Sequence, residues 1–96
     1  MPQFMILASD YKDAEALQRR LSVREDHLNR MRDEKVKGKF IIGGAKLNEE
    51  GAMIGSMLLV DLENETAVRE WLKEDPYVTG KVWKQIDVIP FRVAGV

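Results

Sequence analysis

Apolar residues in this chain come in short runs separated by longer polar stretches. FMILA, residues 4–8, is a run of strand length. A polar segment follows, with one helical patch over Asp13 to Leu21. Ser22 and Glu25 then stand three apart, the spacing of a capping box, in which each side chain bonds the other's backbone amide. This spacing predicts a main helix starting near Val23. Leu28 and Met31 anchor its buried face, Arg24 and Lys35 lie in line with them, and Gly38 supplies a C-terminal stop. KFIIGGA at 39–45 reads as a second strand, LNEEGA as a turn, and MIGSMLLVDL at 53–62 as a third strand. Asn64 is placed to cap a second helix whose buried face carries Ala67, Val68, Trp71 and Leu72. Asp75-Pro76 ends that helix, because the residue before proline is pushed out of helical backbone space. VWKQIDVIPFRV at 82–93 is a fourth strand. The order βαββαβ predicts an α+β, ferredoxin-like fold on a four-stranded antiparallel sheet.

The strands carry apolar residues on both faces. Phe4 and Ile6 oppose Met5 and Leu7; Ile54, Leu58 and Val60 oppose Met53, Met57 and Leu59; Ile86 and Val88 oppose Trp83, Ile89 and Phe91. Two helices cover only one face of such a sheet, and a face that meets water is ordinarily polar. An uncovered apolar face marks an interface. The expectation is therefore a homodimer packed sheet against sheet. A monomer with a hydrophobic ligand groove on that face is the competing arrangement.

Composition narrows the classes further. Ninety-six residues suit one domain, taken as 1–96. A chain of this size buries only ~60–70% of the surface that it exposes unfolded, so association would help it. Fifteen basic and sixteen acidic residues give a net charge of -1, which argues against nonspecific nucleic-acid binding. The absence of cysteine excludes disulfides, thiolate ligands and thiol nucleophiles. No apolar run approaches the ~20 residues of a membrane span, and the N-terminus lacks the basic region of a signal peptide, so the expected location is cytoplasmic.

Three places carry candidate chemistry. His27 is the only histidine, and imidazole takes and returns protons near neutral pH. Arg24, three residues earlier, shares nearly the same helix face, so the two flank the buried stripe. A half-buried structural histidine is the plainer account of the spacing alone. Asp75 stands at a helix end before proline, a common structural stop. In a βαββαβ fold that end and the start of the first helix can approach one edge of the sheet, where Asp75 would orient the imidazole. Ser56 is a hydroxyl inside an apolar strand, either a hydrogen-bonded core serine or a ligand to a bound polar group. Gly43-Gly44 suits a bulge or a close backbone approach. It has neither dinucleotide nor P-loop spacing. One histidine among scattered acids gives no metal site.

Arg-Leu-Ser-Val-Arg-x-x-His-Leu at 20–28, Gly-Gly at 43–44, Gly-Ser at 55–56, Asp-Pro-Tyr at 75–77 and Pro-Phe at 90–91, taken in order, resemble the YCII-related family. The resemblance covers nearly the whole chain. It implies a dimeric α/β barrel of ferredoxin-like protomers, similar in architecture to muconolactone isomerase. It also implies a histidine–aspartate pair as the candidate active site, here His27 and Asp75, with Arg24 and Ser56 as pocket residues. Some relatives are dehydrochlorinases of chlorinated aromatic compounds. One departure stands out: the family often has proline after the motif arginine, where this chain has Glu25. The functional expectation is a cofactor-independent enzyme, an isomerase or lyase acting on a small cyclic or aromatic compound, with His27 as general acid or base. The alternative is a noncatalytic dimeric ligand-binding or assembly domain, for which dimerisation alone would explain the two-faced sheet.

Overall fold

Strict alternation of inward and outward residues opens the chain as strand β1, Gln3–Asp10, with Phe4, Ile6, Ala8 and Asp10 buried. The computed structural model, which covers residues 1–96, continues with helix α1 (Ala16–Val36), strands β2 (Phe40–Leu47) and β3 (Met53–Asp61), helices α2 (Glu65–Lys73) and α3 (Pro76–Thr79), and strand β4 (Trp83–Phe91). The four strands form one antiparallel sheet in the order β2-β3-β1-β4, which is the ferredoxin-like arrangement. The helices lie on one face. There Phe4, Ile6, Leu58 and Val60 of the sheet pack with Met31, Val68, Trp71, Leu72 and Tyr77 in one core. No helix is long and apolar enough to cross a membrane.

Helix α1 begins at Ala16, not near Val23. Asp13 organises the true start. Its backbone carbonyl accepts from the Ala16 amide, its carboxylate accepts from the Glu15 amide, and Arg19 grips the same carboxylate at 2.7 and 2.8 Å. The Ser22–Glu25 capping box does not form. Ser22 lies inside the helix and its hydroxyl donates to the Arg19 carbonyl, while Glu25 accepts from Arg32. A hydroxyl bonded back to its own helix is compatible with a continuous helix, so the patch at 13–21 and the main helix are one element.

Three other features differ from the sequence reading. Met53 does not oppose Leu58 and Val60: the register shifts between Lys46 and Leu47, Ile54 is an extra residue, and Met53 Sδ lies 3.9 Å from Arg20 Nη1 on the helix side. Asp75 ends one helix and starts another: its side chain caps α3 by accepting from the Tyr77 amide, with Pro76 in the first turn. Trp83 shares the helix-covered face with Ile86 and Val88, and does not oppose them. Ser9 pairs with Gln85 but Asp10 pairs with Trp83, so Lys84 is an extra residue. That bulge turns Trp83 into the core.

The face away from the helices carries apolar residues on all four strands. Ile42, Leu59, Met5 and Ile89 form one row across the four strands. Gly44, Met57, Leu7 and Asp87 form the next. Ile42, Ile89 and Phe91 are exposed on this side.

Candidate active site

Helix α1 presents Arg20, Arg24, His27 and Met31 at helical spacing, so one face of one element supplies most of the site. His27 Nδ1 lies 2.8 Å from Asp75 Oδ1, and both side chains are buried. Both oxygens of Asp75 are engaged. Oδ1 also accepts from the Tyr77 amide at 2.9 Å, and Oδ2 accepts from Arg30 Nη1 at 3.1 Å. A carboxylate offers only acceptors, so it takes the N–H of the imidazole at Nδ1. In neutral imidazole the Nε2 lone pair is then left without a partner in the chain.

Arg30 reaches this carboxylate from a second anchor. Its guanidinium donates to the Trp71 carbonyl at 2.7 Å and lies 4.5 Å above the Trp71 ring. The Trp71 indole in turn donates to Glu34. Burial works against the Glu34 charge, but the Trp71 N–H and Lys37 outweigh it and hold its carboxyl below the ordinary range.

Arg20 is the second hub, and it is almost completely buried. It grips Asp10 through Nε at 2.8 Å and Nη2 at 3.2 Å. Nη2 also donates to the Gly55 carbonyl and to Ser56 Oγ, both at 2.7 Å, and Nη1 lies 3.4 Å from the Tyr77 hydroxyl. Ser56 Oγ accepts a second bond from the Trp83 indole at 3.1 Å. Both lone pairs of that hydroxyl are used, so what Ser56 has left to offer is its O–H. The Tyr77 ring stacks on His27 with centroids 4.0 Å apart, and Trp83 meets both rings edge-on. Burial pushes the Tyr77 phenol up from its ordinary pKa despite the neighbouring Arg20, which leaves it a neutral donor at physiological pH.

A cavity of about 230 Å³ opens beside His27, between α1 and β2 on the helix side of the sheet. Arg24, His27 and Ser56 all line it, with Arg20 and Tyr77. Asp75 does not; it stands behind the imidazole. No carboxylate lines the cavity. Gly43 does, and it provides the close approach expected of the Gly-Gly pair: a Cβ there would sit 2.6 Å from the Met57 carbonyl oxygen, whereas Gly44 has open space. No cluster of three metal-ligating side chains forms. Arg20, Arg30, Tyr77 and Trp83 are the site residues to which the sequence reading gave no role, although Arg20 and Tyr77 stand in the motifs that carry the family resemblance. Arg20 has a legible signal, since it stands four residues before Arg24 and seven before His27 on one stripe. The misplaced helix start concealed it.

These features define a ferredoxin-like α+β protein with a buried histidine–aspartate pair beside a cationic cavity. The chain belongs to the YCII-related domain family, whose model matches residues 2–92. It is 30% identical over 95 residues to an uncharacterized protein of Haemophilus influenzae, covering 93% of this chain and 95% of that protein. It is 33% identical to protein YciI of Escherichia coli with the same coverage. Among solved structures, 5-chloro-2-hydroxyhydroquinone dehydrochlorinase of Burkholderia phenoliruptrix, in complex with 2,5-dihydroxybenzoquinone, superposes with a TM-score of 0.80. That match is 23% identical and covers 96% of this chain and 95% of the dehydrochlorinase.

Proposed function

We propose that the chain is a cofactor-independent enzyme that moves a proton on a small cyclic or aromatic compound. The observation that carries this reading is the buried His27–Asp75 contact at the wall of a cavity lined by cations and no acids. His27 Nε2 takes a proton from a carbon beside a carbonyl, and the C–H electron pair moves onto the carbonyl oxygen. Ser56 O–H and Arg24 stabilise that oxyanion. Asp75 holds the ring in the productive tautomer and stabilises the imidazolium. Returning the proton to a different carbon gives isomerisation. Expelling chloride with the electron pair gives dehydrochlorination, the reaction type of the structural neighbour.

The test is solvent deuterium incorporation. Small enolisable lactones and cyclic diketones are incubated with the protein in heavy water and followed by proton NMR. The protein should accelerate exchange at one ring position. His27→Ala should slow it by ~10²-fold or more, the usual contribution of a positioned acid–base group. Exchange that persists unchanged in His27→Ala removes the proposal, and the noncatalytic binding domain becomes the reading to pursue.

We also infer that the protein works as a cytoplasmic homodimer, joined through the open sheet face. The support is the cavity's position. It lies on the helix side, which leaves the apolar rows of the other face available to a second copy.

A further inference from the structure

The residues that line the cavity beside His27 are spread along α1. The cavity's helical wall runs from Arg20 to Lys35, about four turns and roughly 22 Å of rise. The strands keep the same order. Ser56 pairs with Ala45 at the His27 end, Leu58 with Gly43 in the middle, and Val60 with Phe40 toward the far end. The lining therefore falls into three zones. The head holds Arg24, His27, Ser56 and Tyr77. The middle is apolar, with Leu28, Met31 and Leu58, and Phe40 extends it toward the far end. The far end holds Arg32 and Lys35.

Lys35 has no acid and no hydrogen-bond acceptor of its own. The nearby buried carboxylate, Glu34, is taken by Trp71 and by Lys37 at 3.2 Å. Arg32 is already bonded to Glu25 at 3.1 Å and to Asn29 at 2.6 Å. Asp10 and Asp75 are engaged by Arg20 and by His27 with Arg30. Lys35 thus stands as an unspent cation at the end of an apolar trough. Helix side chains lean toward the N-terminus, so the Lys35 stem points back toward His27. The Cα positions are separated by about 12 Å of helix rise, and a folded-back lysine stem spans about half of it. What remains is the length of one six-membered ring with a short acidic tail.

We infer that Lys35 is an anion-binding residue, and that the substrate is a small ring acid whose carboxylate lies on the side remote from the reacting atom. The assignment of the head as the reacting end rests on the function proposed above; the distal anion site does not. Ring-only compounds would fill the head and middle and leave Lys35 unmatched.

Phenylacetate and phenylacetamide have the same shape and differ in charge. Their dissociation constants are measured by NMR titration of the wild type, Lys35→Gln and Lys73→Gln, an exposed lysine on α2. The acid should bind about tenfold tighter than the amide to the wild type and to Lys73→Gln, and the two should bind equally to Lys35→Gln. No binding of the acid, no preference for it, or a preference that survives Lys35→Gln overturns the inference. So does a preference that instead disappears in Arg24→Gln, which would put the anion at the head. The single imidazole signal separates this inference from the proposed reaction. Preference lost in Lys35→Gln with a His27 signal blind to both probes supports the distal site and counts against His27 as the reacting group. A responsive His27 with no Lys35 dependence overturns the distal site and spares the reaction.

Discussion

Asp75 joins local structure to chemistry through two oxygens. One carboxylate caps α3, orients His27 and accepts from Arg30. Asparagine cannot reproduce this. In one orientation its NH₂ faces the Arg30 donors, and in the other it faces the Tyr77 amide. Asp75→Asn should therefore destabilise the fold on the order of 3 kcal/mol in chemical denaturation, as breaking one side of a buried ion pair does. The wild type should carry the neutral His27 proton on Nδ1, read from imidazole ¹⁵N shifts; a proton on Nε2 would sink the assignment of that nitrogen as the base. At this scale the sequence exposed the four residues whose types speak for themselves: His27, Asp75, Arg24 and Ser56. The contact between His27 and Asp75 spans 48 positions and is made by packing, which no local pattern encodes. Arg30 was hidden for a different reason. It lies on the flank of α1 that meets α2, and a surface arginine and a clamp arginine look alike in sequence.

Two element-level devices can be tested by substitution. The first is the α1–α2 clamp, where Trp71 and Lys37 favour ionised Glu34. The folded carboxyl titrates below its ordinary value of 4.5. Its contribution is thus fully present above the unfolded value and is lost as pH falls through the lower folded one. Glu34→Gln keeps an acceptor for the indole but does not titrate. Denaturation curves should show the wild type losing more stability than this variant between about pH 5 and pH 3; parallel losses would show that the clamp is not electrostatic. The second device is the pairing of β2 with β3 at Gly43. Gly43→Ala forces β2 away from the Met57 carbonyl and should cost about 2 kcal/mol, while Gly44→Ala, with open space, serves as the control. Equal thermal midpoints for the two variants would mean that the edge strand yields freely. The strands and α2 were legible because alternation, Asn64 and Pro76 act locally, and the Asn64 cap forms as the spacing predicts. The start of α1 was not legible, since Ser22 and Glu25 satisfy a capping rule and a helix interior equally well. Trp83 was misplaced because a bulge is set by the partner strand, β1, and changes parity without a mark in β4.

The two faces of the sheet divide the work of the whole molecule. The helix side carries the core and the cavity together. The open side is left with rows of Ile42, Leu59, Met5 and Ile89, then Met57 and Leu7, on a chain with little core to spare. Apolar surface removed from water contributes ~25 cal/mol per Å², so a second copy covering these rows would stabilise each protomer. Leu7 lies on a central strand of that face. Leu7→Glu places a charge where the partner's apolar rows would pack, and desolvating it there is unfavourable. The wild type should sediment as a dimer with a thermal midpoint that rises with protein concentration. Leu7→Glu should sediment as a monomer, melt lower, and lose the concentration dependence. The outcomes separate two accounts of the same face. A wild type that is monomeric at all concentrations leaves the apolar rows as a surface for another occupant. A dimer unaffected by Leu7→Glu places the interface elsewhere, on the edge strands or the helices. A monomeric variant that still binds phenylacetate would further show that each protomer carries a whole cavity. If binding is lost on dissociation, the partner supplies part of the site.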